Sequence, residues 1–168
     1  MKRKIIGLVA TAALSTGAFA STNIQLGASS NNLGAGISNK TGIYLGVDGT
    51  KDVKKGLLLG VGFNINEFSL DTTTTSGAAY IMAVDALVGY TFKDSFNIPL
   101  TLKAGVGYGV THDNIINNNA WNAQYNVSAA YTIYKGFGLG IRYNTTDTQL
   151  LNTNVTIDST IGYLNIEF

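Results

Sequence analysis

The chain has 168 residues, of which 12% are charged and 45% hydrophobic, with no cysteine, one proline and 20 glycines. That length fits one domain, and the missing cysteine excludes a disulfide scaffold. Three of the 11 basic residues, Lys2, Arg3 and Lys4, precede an apolar run, and without them 8 basic against 10 acidic residues give a net charge of −2, which excludes a phosphate-binding surface for nucleic acid.

Residues 1–20 have the three parts of an export signal: the basic start, an apolar run from Ile5 to Leu14, and small residues at Ala18 and Ala20 around Phe19. Cleavage near Ala20 is expected, leaving 21–168 as a single folded domain. Ile24, Leu26 and Ala28 then alternate on even numbers and Leu33, Ala35 and Ile37 on odd numbers. The phase slips across Ser29–Asn32, which predicts one bulged strand near Thr22–Ser38. A second strand is expected near Gly42–Gly49, carrying Ile43, Leu45 and Val47.

Six clearer strands follow. They carry Leu57 to Ile65, Tyr80 to Phe92, Ile98 to Val110, Trp121 to Ile133, Phe137 to Tyr143, and a last segment ending on Leu164, Ile166 and Phe168. In each, large apolar residues alternate with small or polar ones, the period of a strand with one greasy face. From Ile98 to Val110 every even position is apolar, while the odd positions are Pro99, Thr101, Lys103, Gly105, Gly107 and Gly109. A soluble strand buries its large residues and shows charge to water. Here charge is scarce, so the greasy face is assigned to lipid. No run after the signal reaches the ~20 apolar residues of a spanning helix. Entry into a membrane then requires a closed all-β barrel. The fold class expected is a transmembrane antiparallel up-and-down barrel of eight strands.

The connections sort into two kinds. Thr50–Lys55, Lys93–Ser95 and Tyr134–Gly136 are short and carry lysines. Residues 71–77, 112–120 and 145–153 are longer, polar and low in complexity. Short turns at one end and long loops at the other are the plan of outer-membrane barrels. The long loops are expected outside the cell and the short turns in the periplasm.

Three features carry a resemblance: the signal ending Ala18-Phe19-Ala20, strands such as Val84-Asp85-Ala86-Leu87-Val88-Gly89-Tyr90, and the terminal Leu164, Ile166 and Phe168. Together they resemble the small eight-stranded bacterial outer-membrane barrels of the OmpA-like or opacity-protein-like porin superfamily. The likeness spans the chain after the signal and is one of architecture, with no diagnostic active site. It implies location in the bacterial outer membrane, contact with its lipid and lipopolysaccharide, and a C-terminal signal read by the barrel-assembly machinery. A monomer with a structural or adhesion-type surface role is expected, binding any extracellular ligand through the three long loops. The alternatives are a narrow pore and an outer-membrane lipid-modifying enzyme.

The inward face then holds Asp48, Asp85, Lys103, Arg142 and Glu167. An eight-stranded barrel is filled by its own side chains, and unpaired charges inside it are costly, so these should pair. A hairpin centred on Asp94 sets Asp85 opposite Lys103, and a bend at Lys135 sets Ser128 opposite Arg142. One polar cluster is expected, plugging the barrel or gating it. Inward glycines, Gly105, Gly107 and Gly140 among them, leave a small cavity or permit strand curvature. Trp121, Tyr125 and Tyr80 near one end, with Phe92, Phe96 and Phe137 near the other, match aromatic girdles; a ligand-stacking role for Trp121 is the sharper alternative. Pro99 belongs at a strand start, where no ladder amide is needed. His112 is the single histidine. With no cysteine it offers no metal set, and no catalytic spacing accompanies it, so no cofactor, metal or catalytic residue is expected.

Overall fold

The computed structural model describes residues 21–34, 39–71 and 76–168; the expected export signal lies outside the described residues. The strands are β1 (Ser21–Asn32), β2 (Lys40–Lys54), β3 (Leu57–Asp71), β4 (Ser76–Thr91), β5 (Leu100–Asp113), β6 (Asn118–Tyr134), β7 (Phe137–Leu150) and β8 (Thr153–Glu167), with one short helix, α1 (Lys93–Phe96). Each strand pairs antiparallel with the next, and β8 returns to β1, closing an eight-stranded barrel. Closure is what lets the strands survive in lipid, because no ladder edge meets hydrocarbon. The alternation read from the sequence sets the faces. Val84, Val106, Tyr108, Val127 and Ile141 stand outward and exposed, while Asn64, Asp85, Gln124 and Arg142 are buried inside.

The expected connections change in four places. The strands run 12 to 17 residues, more than the roughly 9–11 that cross a bilayer, so most of the presumed loops are strand. β5 reaches Asp113 and β6 starts at Asn118; β7 reaches Leu150, leaving only Leu151 and Asn152 as the turn. Outward polar residues such as Asn119, Asp147 and Gln149 mark strand that has risen out of lipid into water. Of the loop expected at 71–77, residues 72–75 lie outside the described residues.

At the other end two turns are tight, and the connection expected at Thr50–Lys55 is strand as far as Lys54, which leaves two residues for the turn. Lys55-Gly56 and Lys135-Gly136 have φ of 44° and 87°, and of 38° and 85°. Positive φ at both central residues is what a two-residue hairpin requires. The β4–β5 connection is not of this kind. It spans Phe92 to Pro99 and contains α1, with Pro99 just ahead of β5. The longer connection moves the register by four residues, so Tyr90 faces Leu102 rather than Ile98.

β1 carries no bulge. Its ladder with β2 is unbroken from Ser21↔Thr50 to Asn31↔Lys40. The phase slip has another cause: the strand ends at Asn32, and Leu33 turns into the barrel, where it is fully buried. Ala35 and Ile37 lie outside the described residues.

Leu33 joins Phe68, Leu70, Ile81, Leu150, Val155 and Ile157 in an apolar cluster inside the end of the barrel away from the termini. Midway down lies a polar layer, and beside it Tyr44, Ile161 and Tyr163 pack together, with Ile161 directly opposite Arg142.

Candidate functional site: the plugged interior

The polar layer is built by inward positions of five strands. Asp85 on β4 accepts hydrogen bonds from Arg142 Nη2 at 2.5 Å, Asn64 Nδ2 at 2.8 Å and Gln124 Nε2 at 3.2 Å. The Arg142 Nε donates to Asn144 Oδ1 at 2.6 Å, and its guanidinium lies 5.7 Å from the Tyr44 ring centre. Both members of the pair are almost wholly buried, at 1% and 4% exposed. A carboxylate and a guanidinium are tolerable there because they pair with each other and side-chain amides add hydrogen bonds to both.

A second pair lies nearer the termini. Lys103 Nζ donates to Asp48 Oδ1 at 2.6 Å, and Asp48 also accepts from Asn23 Nδ2 at 3.0 Å and Gln25 Nε2 at 2.6 Å. The Tyr44 hydroxyl donates to Gln25 Oε1 at 3.0 Å, joining the two pairs into one connected set. Asn31, Ser29, Asn66 and Ser159 form a further hydrogen-bonded group inside the barrel.

The expected partner of Asp85 was Lys103, and this is corrected. The four-residue register shift sets Asp85 opposite Gly107 and Lys103 opposite Gly89. Lys103 therefore sits lower and meets Asp48, while Asp85 reaches across the lumen to Arg142. Ser128 does lie opposite Arg142. Glu167 takes no part in the buried set. It is exposed at the termini end, where its Oε1 accepts from the Ser21 hydroxyl at 2.9 Å.

The small face of the strands has a packing cause. A Cβ on Gly107 would strike the Asp85 carboxylate, and one on Gly140 would strike the Tyr163 ring. A Cβ on Gly105 would press on Leu87 and Asn126. Those glycines hold space already filled by large side chains from neighbouring strands, rather than lining a void. A cavity of about 210 Å³ does exist, at the termini end. Lys103, Asn23, Thr101, Tyr163, Asn165 and Glu167 are among its lining.

Sequence reasoning missed Tyr44, Asn23, Gln25, Asn64 and Gln124. Their signal was present: each is a polar or hydroxyl-bearing residue at an inward position of its strand. It also missed the apolar cluster, although Ile81 and Leu87 break the small-or-polar rule at inward positions of β4.

Of the aromatic residues, Trp121, Tyr125, Phe96 and Phe137 are exposed on the outer surface, at 70%, 54%, 64% and 58%. Tyr80 and Phe92 are half-buried. His112 stands at an outward position of β5, in strand rather than in a loop. Its Nδ1 is 2.9 Å from Asn119 Oδ1, and its ring stacks on Tyr80 at 6.2 Å.

The outer membrane protein beta-barrel domain model matches residues 5–163. The chain belongs to this family. As a member it is an integral β-barrel of the outer membrane, formed by eight up-and-down strands. Similar solved structures include the following three. Ail, the attachment invasion locus protein of Yersinia pestis, was solved with the heparin analogue sucrose octasulfate; it is 13% identical, with 88% of this chain and 98% of that chain covered and a TM-score of 0.59. Neisserial surface protein A is 10% identical over 87% of this chain and 95% of that one, with a TM-score of 0.56. The outer membrane enzyme PagL is 15% identical over 88% and 99%, with a TM-score of 0.55. At such identities the likeness is one of fold. No curated protein sequence matches the chain significantly.

Proposed function

We propose that this outer-membrane barrel is a plugged, monomeric scaffold whose role is structural or one of surface interaction, exerted at the end away from the termini. The observation that carries this reading is the double seal of the lumen. A solute entering from the outer end meets the apolar cluster of Leu33, Phe68, Leu70, Ile81, Leu150 and Ile157. Beyond it stands the Asp85–Arg142 layer, packed against Tyr44, Ile161 and Tyr163. Ion passage would have to displace fully buried side chains and break charge-assisted hydrogen bonds in a dry space.

In this reading Asp48, Asp85, Lys103 and Arg142 hold the wall together from inside. Trp121, Tyr125 and Tyr80 at the outer interface, and Phe92, Phe96 and Phe137 at the inner one, anchor the barrel at the depth of the lipid headgroups. Leu164, Ile166 and Phe168 present the signal for the barrel-assembly machinery. Leu164 and Phe168 are exposed on the lipid side, and Phe168 exchanges backbone hydrogen bonds with Thr22 at 2.9 and 3.2 Å, at the closing seam. Removal of residues 1–20 would leave Ser21, the first residue of β1, as the mature start.

Planar-bilayer recording tests the reading. The purified barrel is expected to insert without steady openings, and Lys103→Ala to remain equally silent. Steady single-channel conductance from the unmodified protein would overturn the reading in favour of a pore. Lipid A mass profiles unchanged by its expression are expected in the same strains; a changed profile lost in His112→Ala would make it an enzyme.

A further inference from the structure

Between β6 and β7 the barrel wall comes apart before either strand ends. Their ladder stops at Ala123↔Asp147. Beyond that point β6 stays in register with β5 as far as Asn118, and β7 with β8 as far as Leu150. Residues 118–122 and 148–150 thus face each other across a gap, and a cleft of about 700 Å³ occupies it. The opening is a built window rather than a frayed end. The buried Asp113 carboxylate bridges its top, accepting from the Ile115 amide at 2.7 Å and the Leu151 amide at 3.0 Å, so the β5–β6 and β7–β8 turns are tied together.

The chemistry of the window is specific. Asn119, Trp121, Asp147, Gln149, Asn154 and Thr156 are among its lining residues, with Thr148 also present. Thr148 and Asn122, on the two sides of the opening, turn inward and are only 8% and 2% exposed, so the face that the cleft offers is made by the outward residues. The rim groups are fixed but only partly used. Thr156 Oγ1 donates to Asp147 Oδ1 at 2.7 Å, and Gln149 Nε2 to Asn154 Oδ1 at 2.8 Å, leaving Gln149 Oε1 and Asn154 Nδ2 for a ligand. Trp121 is 70% exposed, and its ring stacks on Tyr108 at 5.5 Å with 9° between planes, which holds a flat indole surface beside the opening. The lining has one carboxylate and neither lysine nor arginine.

We infer that this window binds a neutral oligosaccharide. Side-chain amides and a carboxylate supply the paired donors and acceptors that adjacent sugar hydroxyls need, and an indole face packs against the C–H side of a sugar ring. Without a cation in the lining, a phosphate or sulfate group would meet only Asp147 and unfavourable charge. An extended peptide strand could pair with the open edges. The row of amide and carboxyl groups beyond the backbone, with the exposed indole beside it, favours the sugar. This gives the surface-interaction reading a ligand class, and rests on that reading only in placing this end of the barrel outside the cell.

Trp121 is the single tryptophan of the chain, so intrinsic fluorescence reports on the window directly. The purified full barrel, in micelles of the sugar-free detergent lauryldimethylamine oxide, is titrated with chitotriose and with maltotriose. A saturable change in Trp121 emission with at least one of them is expected. Asp147→Ala and Gln149→Ala, each first checked for the folded barrel by unheated gel mobility, should weaken it by about tenfold, the loss of one charge-assisted or amide hydrogen bond. No saturable response to either sugar would overturn the inference. So would an equal response to sucrose octasulfate, or a response confined to an extended hexapeptide, which would make the window a strand-addition site. The conductance test is separate, so either proposal can fail while the other stands.

Discussion

Removing the Asp85 carboxylate is the most direct probe of what holds the interior together. In Asp85→Ala, the Arg142 guanidinium keeps its bond to Asn144 and its contact with the Tyr44 ring but loses its counter-charge. Breaking one side of a buried pair costs about 3–5 kcal/mol, because the other charge stays in a dry site. Asn64 Nδ2 and Gln124 Nε2 also lose their acceptor, at about 1 kcal/mol each. The expected loss is therefore on the order of 5–7 kcal/mol. Arg142→Met leaves a carboxylate that still has two amide donors, and should cost about 3–5 kcal/mol. The double variant removes both charges, and should cost less than either single change, because no buried charge is left unpaired. Lys103→Met is the internal comparison. Lys103 borders the cavity at the termini end, and Asp48 keeps Asn23 and Gln25 as donors, so its loss should be only about 1–2 kcal/mol. Urea unfolding of barrels refolded into lipid vesicles, followed by Trp121 fluorescence and gel mobility, gives all four values. If Asp85→Ala loses under about 1 kcal/mol, or if the double variant loses the sum of the singles, the buried-pair argument is wrong.

Two further perturbations test packing and the outer rim. Gly140→Ala sets a methyl group into the Tyr163 ring, and should reduce the folded fraction on unheated gels; adding Tyr163→Leu should restore it, and failure to do so would mean that Gly140 is needed for its backbone rather than for the space above it. Asp113→Ala removes the acceptor shared by the Ile115 and Leu151 amides, so hydrogen exchange at both turns should rise by at least about tenfold, the loss of about 1.4 kcal/mol of protection. Unchanged exchange there would mean that Asp113 does not tie the turns.

How much of this was legible depends on what a period of two can carry. The face of each residue follows from parity alone. Leu102, Val106 and Tyr108 stand outward, and Asp85, Lys103 and Arg142 inward, whatever the register. Register is a separate quantity, set by the connections. Moving the β4–β5 pairing by four residues leaves every side chain on its own face while giving every residue a new opposite. The apolar pattern is blind to any even shift, so it could not distinguish Lys103 opposite Asp85 from Lys103 opposite Gly89. The short stretch Lys93–Ser95 looked like a hairpin loop; instead α1 takes it up, and the connection lengthens to Pro99. Where the connection really was a two-residue turn, as at Lys135-Gly136, the deduced facing of Ser128 and Arg142 agrees with the structure.

The same blindness hides the window. On β6, inward Asn122 and outward Trp121 continue the alternation of Gln124 and Ala123 without a break, although the β6–β7 ladder ends between them. Alternation records which side of a sheet a residue faces, not whether a neighbouring strand lies beside it. Two other quantities mark where pairing stops. One is polarity outside lipid: above Ala123 and Asp147 the outward positions turn to Asn119 and Gln149, which need no hydrocarbon partner. The other is the connection above: Asp113 ties the β5–β6 and β7–β8 turns without any β6–β7 ladder beneath them. A barrel built only to persist in its membrane would gain by zipping this seam to the rim, since open edges invite unwanted pairing. That the strands stay apart while Asp113 bridges the turns above them makes an occupant the more economical explanation than a packing fault.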